Sequence, residues 1–191
     1  INYFRAGPVG MVENWNHALR YATGEYVLYL TDKMFLLPDA LAHIERAVAE
    51  RPDVVSWISD GYDPASYSDY FGDGTYTAIA PGTDGPFSPL DDLSRRGRAY
   101  TARGEQSSTD YCRGKIVFGA YRRDLIDRIV ARYGALFHNI NPDYTSMILA
   151  MTEARSAVEM ARACVVSVNT DLSNGRRSDT DDAAAFAFLE T

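Results

Sequence analysis

Between Val9 and Thr23, Met11, Trp15, Leu19 and Ala22 recur at helical spacing, with Glu13, Asn16 and Arg20 on the other side. Thr23-Gly24 ends this predicted helix, glycine being the usual left-handed terminator. The run Glu25-Tyr26-Val27-Leu28-Tyr29-Leu30-Thr31 has no polar alternation, which predicts a strand buried on both faces, as in a parallel sheet. Asp32-Lys33-Met34-Phe35 is read as the loop after it. A second helix is predicted from Pro38, with Leu41, Ile44 and Val48 as its apolar stripe, closed by Arg51-Pro52-Asp53. Val54-Val55-Ser56-Trp57-Ile58 is the next strand, which completes a strand–helix–strand unit.

From Asp60 to Gly97 the pattern breaks down into Gly, Pro, Asp, Ser and Tyr, with short β-like pieces such as Tyr76-Thr77-Ala78-Ile79. A stretch this long inside one domain reads as an irregular excursion. Order returns with a strand over Lys115–Tyr121 and a helix over Asp124–Tyr133, buried through Leu125, Ile126 and Ile129 and ended by Gly134. A further helix begins near Pro142-Asp143 and uses Met147, Ile148 and Met151. Val165–Val168 is a strand, Asp171–Arg177 a polar loop, and Asp182–Leu189 a terminal helix. No repeat and no linker divides the chain, so residues 1–191 are read as one α/β domain with a mainly parallel sheet flanked by helices.

Composition narrows the function classes. The apolar fraction of 46 % and charged fraction of 24 % are ordinary for a globular domain. A net charge of −7 argues against a general nucleic-acid binder, which needs clustered Lys and Arg. A small phosphate site needs only one or two cations, so it remains compatible. No apolar run approaches the ~20 residues that span a bilayer. Two cysteines, Cys112 and Cys164, do not make a disulfide framework.

In open parallel sheets, ligands bind beyond the carboxyl ends of the strands. Asp32 stands there, and a carboxylate at such a place either caps the loop or pairs with a cation or metal. Arg122-Arg123 and Arg176-Arg177 carry guanidinium forks that match phosphate oxygens, or are simply solvated. Asp143 opens a helix, where the helix dipole alone favours an acid. His17, His43 and His138 show no metal-ligand spacing, and Gly72, Gly74, Gly82 and Gly85 form no phosphate loop.

Four consecutive pieces carry a resemblance. They are Glu13-Asn14-Trp15-Asn16-His17-Ala18-Leu19, Ala22-Thr23-Gly24-Glu25-Tyr26-Val27, Leu30-Thr31-Asp32 and Leu36-Leu37-Pro38-Asp39-Ala40-Leu41. Together they resemble bacterial members of glycosyltransferase family 2. Weaker echoes are Gly119-Ala120-Tyr121-Arg122-Arg123, Asn141-Pro142-Asp143-Tyr144 and Ser173-Asn174-Gly175. The excursion is not covered by the likeness.

The resemblance implies a GT-A, Rossmann-like fold that transfers a sugar from a nucleotide-diphosphate donor to a hydroxyl acceptor with inversion. It further implies a role in surface polysaccharide or related glycan synthesis, in the cytoplasm where nucleotide sugars are made. Asp32 would be the surviving member of the donor-site acidic motif and its metal ligand. Lys33, Arg122, Arg123 and Arg176 would meet the donor diphosphate, and Asp143 would be the catalytic base. The sequence departs from the family twice. The acidic cluster reads Asp32-Lys33-Met34, and Met34 is a poor ligand for Mg²⁺ or Mn²⁺. The expectation is therefore weak or no metal dependence, with Lys33 supplying part of the metal's charge. No segment matches the family's opening strand and loop, so the domain is read as lacking the N-terminal part of the fold. The alternative is a non-catalytic relative that binds a glycan or a protein, which the Asp32-Lys33-Met34 sequence favours.

Overall fold

The structure, a computed structural model, describes residues 3–4, 7–64, 74–102, 111–139 and 141–170. Its first helix, α1, is Met11–Leu19 and buries Leu19. Trp15 on α1 stacks on Tyr29 at 5.5 Å and meets Phe137 edge-on at 5.1 Å, while the Tyr29 hydroxyl donates to the Trp15 carbonyl at 2.7 Å. The Asn16 amide donates to the Phe137 carbonyl at 2.8 Å. The Asn-rich helix is thus clamped to the rest of the fold by an aromatic trio and one side-chain amide.

The strands are β1 (Tyr26–Val27), β2 (Met34–Leu36), β3 (Val54–Asp63), β4 (Thr75–Thr77), β5 (Gly85–Phe87), β6 (Gly119–Arg122) and β7 (Ala157–Val168). They form one sheet in the order β1-β6-β3-β7-β2, with β4 added on β3 and β5 on β7. The α/β architecture expected from the sequence is present, with helices packed against a central sheet. Parallel pairing among the described strands is confined to β3–β7; β1–β6, β6–β3, β7–β2, β3–β4 and β5–β7 are antiparallel. β1 and β3 do run the same way, as the strand–helix–strand reading requires, but β6 lies between them.

Several elements differ from the sequence reading. Only Tyr26–Val27 of the run from Glu25 to Thr31 pairs as strand, and Leu30 is exposed. Met34-Phe35, read as loop, opens β2 because its backbone finds Val166 and Ser167 on β7. Helix α2 (Ala40–Val48) buries Ala40 and Ile44 and turns Leu41 outward. The excursion contains β4, β5 and most of a long helix, α3 (Pro89–Ala102), which runs past Gly97 and whose polar surface hid it. Asp92 on α3 is buried and pairs with Arg96 at 2.7 Å and with Arg113 at 2.9 Å, and Arg113 also pairs with Glu159 on β7. These charges do the fastening that an apolar stripe does elsewhere.

The chain before β6 forms a 3-10 turn, Ile116–Phe118, rather than strand. Helix α4 (Arg123–Tyr133) buries Leu125, Ile126 and Ile129 as expected and ends on Gly134 with φ 85°, whose amide donates to Val130 at 2.9 Å. Helix α5 (Pro142–Glu153) buries Met147, Ala150 and Met151, with Ile148 exposed. β7 is three times longer than the four residues read as strand, because Glu159 and Arg162 interrupt its apolar run. Its register against β3 slips between Trp57↔Met160 and Ile58↔Ala163, a bulge that lets the Ala161 carbonyl accept from the Gly82 amide. No described helix is long and apolar enough to cross a membrane.

Candidate functional site

The sheet has two ends, and strand directions assign residues to each. β1, β3 and β7 point one way, so the residues that follow β1 and those that precede β6 share one end. Asp32 and Lys33 form the turn between β1 and β2 at that end. The Met34 amide donates to the Thr31 carbonyl at 3.1 Å, and the Lys33 carbonyl accepts from the Val168 amide at 2.8 Å. The turn is therefore pinned through its backbone. Its side chains are left for other partners: Asp32 is exposed, Lys33 is half-buried, and neither side chain bonds to a described residue.

Lys115 belongs to the same end. The Tyr29 amide donates to the Ile116 carbonyl at 3.5 Å, which runs the chain next to Lys115 alongside the segment leading to Asp32. Gly114 sets its course. It has φ 80°, and a Cβ there would meet the Met151 sulfur at 2.9 Å. Its amide donates to Ser56 Oγ at 2.8 Å, and its carbonyl accepts from the buried Tyr121 hydroxyl at 2.5 Å. The turn so held drives the Lys115 side chain into the interior, where its exposure is 0 %.

What receives the ammonium is unusual for a buried charge. Nζ lies 3.6 Å from the Tyr111 ring centroid and 3.7 Å from that of Tyr144. It lies 3.5 Å from Asp143 Oδ2 and makes no hydrogen bond among the described residues. Two aromatic faces attract a cation through their quadrupoles but do not replace water's hydrogen bonds. Burial accordingly pushes the Lys115 amine down to about 8, with Asp143 pulling the other way. Asp143 sits in the first turn of α5 after Pro142, and its carboxylate keeps 19 % exposure. It can thus meet both the buried ammonium and a solute. Spacing and composition give Lys115 and Tyr111 no functional reading, and Tyr144 enters only through the Asn141-Pro142-Asp143-Tyr144 echo. The available signal was Gly114-Lys115 placed directly against the apolar run Ile116-Val117-Phe118, a lysine with no polar neighbour on that side.

Arg122 and Arg123 are placed at the opposite end of the sheet. Arg122 pairs with Tyr26 at the start of β1. Its guanidinium lies 2.6 Å from Asp53 Oδ1 and 3.6 Å from Asp124 Oδ2, and donates to the Arg51 carbonyl at 2.5 Å. Arg123 donates to the Ala22 carbonyl, and its amide to the Glu25 carbonyl at 2.7 Å. Both guanidinium groups anchor backbone on the side away from Asp32, and neither enters the site described here. Arg176, like Arg177 and the segments 171–177 and 182–189, lies outside the described residues. His43 contacts Arg46 and Arg162, and His138 contacts the Ala135 carbonyl.

Among the described residues no group of three or more His, Cys, Asp or Glu gathers around one point. Asp32 is a single carboxylate followed by a cation and by the buried Met34. Mg²⁺ and Mn²⁺ require several oxygen ligands, and these residues alone do not fit such a cage.

No family model matches the sequence, and no curated protein matches it. Among solved structures, the chain is similar to S. aureus TarS 1-349 in complex with UDP-GlcNAc. The TM-score is 0.53 and the identity 16 %, over 83 % of this chain and 38 % of that one. The chain therefore has a glycosyltransferase-like fold and spans well under half the length of that neighbour.

Proposed function

We propose that this chain is the catalytic part of a glycosyltransferase that moves a sugar from a nucleotide-diphosphate donor to a hydroxyl acceptor. The observation that carries the reading is the shared fold with TarS, whose structure holds UDP-GlcNAc. The family-2-like residues around Asp32 support it independently of that fold comparison.

In the proposed reaction the acceptor oxygen attacks the anomeric carbon from the face opposite the leaving group. The bond from that carbon to the diphosphate oxygen breaks, and the configuration inverts. The acceptor's proton passes to Asp143, the partly exposed carboxylate at the start of α5. Negative charge that builds on the leaving diphosphate is met by Lys33, with Asp32 beside it on the donor side. The product class would be a surface polysaccharide or related glycan, made where nucleotide sugars are available.

The test is thermal stabilisation of the full-length protein by UDP, UDP-GlcNAc and other nucleotide diphosphates, each with Mn²⁺ and with EDTA. A ligand that binds only the folded state raises the melting temperature, and at 100 times its Kd stabilises by about 2.7 kcal/mol. The expected result is a base-selective shift that survives EDTA and is lost in Lys33→Ala. A shift seen only with Mn²⁺ would overturn the role given to Lys33. No shift with any donor would favour the non-catalytic alternative, in which the lone Asp32 carboxylate is a relic of the donor site.

A further inference from the structure

Lys115 is costly as a purely structural residue. A methionine or leucine would fill the same space without burying a charge, and the two tyrosine rings would pack against it equally well. The ammonium does one thing an apolar side chain cannot, which is to pair with the Asp143 carboxylate at 3.5 Å while that carboxylate keeps 19 % exposure. Resting on the glycosyltransferase reading, we propose that Lys115 is a positioning residue that fixes the Asp143 carboxylate toward the acceptor and makes transfer depend on the lysine's own proton.

The surroundings suit that role. Tyr111, on the exposed side, and Tyr144, on α5, close over Nζ. With no hydrogen-bonding partner among the described residues to tie it elsewhere, the ammonium's strongest interaction there is with Asp143. The other groups that face it set its proton affinity. Arg96 on α3 disfavours the charged form, and the Cys112 thiol counts slightly for it. Burial holds Cys112 itself protonated by pushing it up to about 11, and holds the Tyr121 phenol well above its ordinary range. Lys115 is then the group of this cluster that changes charge just above neutrality, with its amine at about 8. Once the proton leaves, the ion pair and both cation–π contacts end together, and Asp143 is free to rotate away.

The experiment follows the pH dependence of transfer by the full-length protein from UDP-GlcNAc or whichever nucleotide sugar stabilises it. The wild type should lose kcat on the alkaline side with an apparent pKa near 8. Lys115→Met should lower kcat by about 10²-fold, the scale of a misplaced catalytic group, with KM nearly unchanged and no alkaline limb. Tyr111→Ala removes a half-exposed wall and admits water to Nζ, so its limb should move up toward the ordinary lysine value of about 10.4. This variant also serves if Lys115→Met does not fold. An alkaline limb that Lys115→Met keeps, or that Tyr111→Ala leaves in place, overturns the proposal. A second readout is independent of turnover: the Asp143 carboxyl carbon shift, titrated by NMR, should step together with Lys115 Nζ in the wild type. If that step is present and no donor is turned over, the positioning pair stands and the transferase reading falls. If it is absent, the positioning pair falls whatever the activity.

Discussion

The two ends of the sheet treat charge in opposite ways. Where β3 begins, Asp53 is fully buried and is met by Arg122 at 2.6 Å, Arg128 at 2.9 Å and the Arg155 amide at 2.9 Å. Where β1 ends, Asp32 is exposed with no described partner, and Lys115 is buried against one carboxylate at 3.5 Å. The first arrangement fastens β3, β6 and α4 together with two guanidinium groups on one carboxylate, although Asp53 Oδ1 and Arg122 Nε are left without a hydrogen bond among the described residues. The second leaves one buried ammonium with a single, longer ion pair, at a cost in stability that the rest of the fold must offset. The choice of cation matches the task. Guanidinium cannot shed its proton and belongs in a permanent clamp, whereas a lysine amine titrates when its surroundings press it to.

Substitutions at each end should break this comparison in different readouts. The largest effect is expected from Asp143→Asn, which removes the proposed base and should lower transfer by about 10³-fold in a steady-state assay. Its loss of stability should be the smaller concern, because Lys115 can neutralise rather than stay buried and unpaired. Asp53→Ala should show the reverse. Two guanidinium groups would lose their buried partner and remain charged, which costs about 3 kcal/mol in denaturant unfolding. Nucleotide-sugar affinity of the protein that remains folded should be unaltered. If Asp53→Ala instead weakened donor binding while stability held, the division between a fastening end and a working end would be wrong. The smallest effect is expected from Glu25→Gln, which breaks the 2.7 Å pair with Arg51 at the fastening end. Both side chains are more than half exposed, so the loss should be about 0.5 kcal/mol or less and should vanish in high salt.

The wild-type alkaline limb sharpens the same contrast. Proton loss near 8 should end the Lys115–Asp143 contact, while the Asp53 clamp, built on arginine, should pass through that range unchanged. Above pH 8 the folded protein sheds the Lys115 proton before the unfolded chain does, so global stability should rise with pH toward the ordinary lysine range while turnover falls, a divergence that parallel unfolding and turnover profiles would read.

Much of the fold was legible wherever burial followed a simple period. The helices built on Leu19, on Leu125, Ile126 and Ile129, and on Met147 and Met151 lie where their apolar spacing put them. The strand from Val54 was found at its start, and Gly134 ended its helix as a left-handed glycine should. Elements that bury charge were not legible. Helix α3 packs through Asp92 and Arg96, and the first half of β7 carries Glu159 and Arg162, so both lacked the apolar signal by which such segments are read. Leu41 and Ile148 have the right spacing for an inner face, yet face solvent, while the neighbouring Ala40 and Met147 are the ones buried.

By itself the sequence determined local matters: which segments with an apolar stripe coil, where glycine and proline stop them, and that Asp32 follows a strand and Asp143 opens a helix. Those depend on residues a few positions apart, and chemistry at that range is written in order along the chain. Only the tertiary structure decided that Arg122 and Arg123 serve Asp53 and the backbone at the far end, and that Lys115, Tyr111, Asp143 and Tyr144 share one buried point. The reason is electrostatic. A charged side chain takes the partner that desolvation leaves within reach, and that partner is fixed by strand order and packing rather than by distance in sequence.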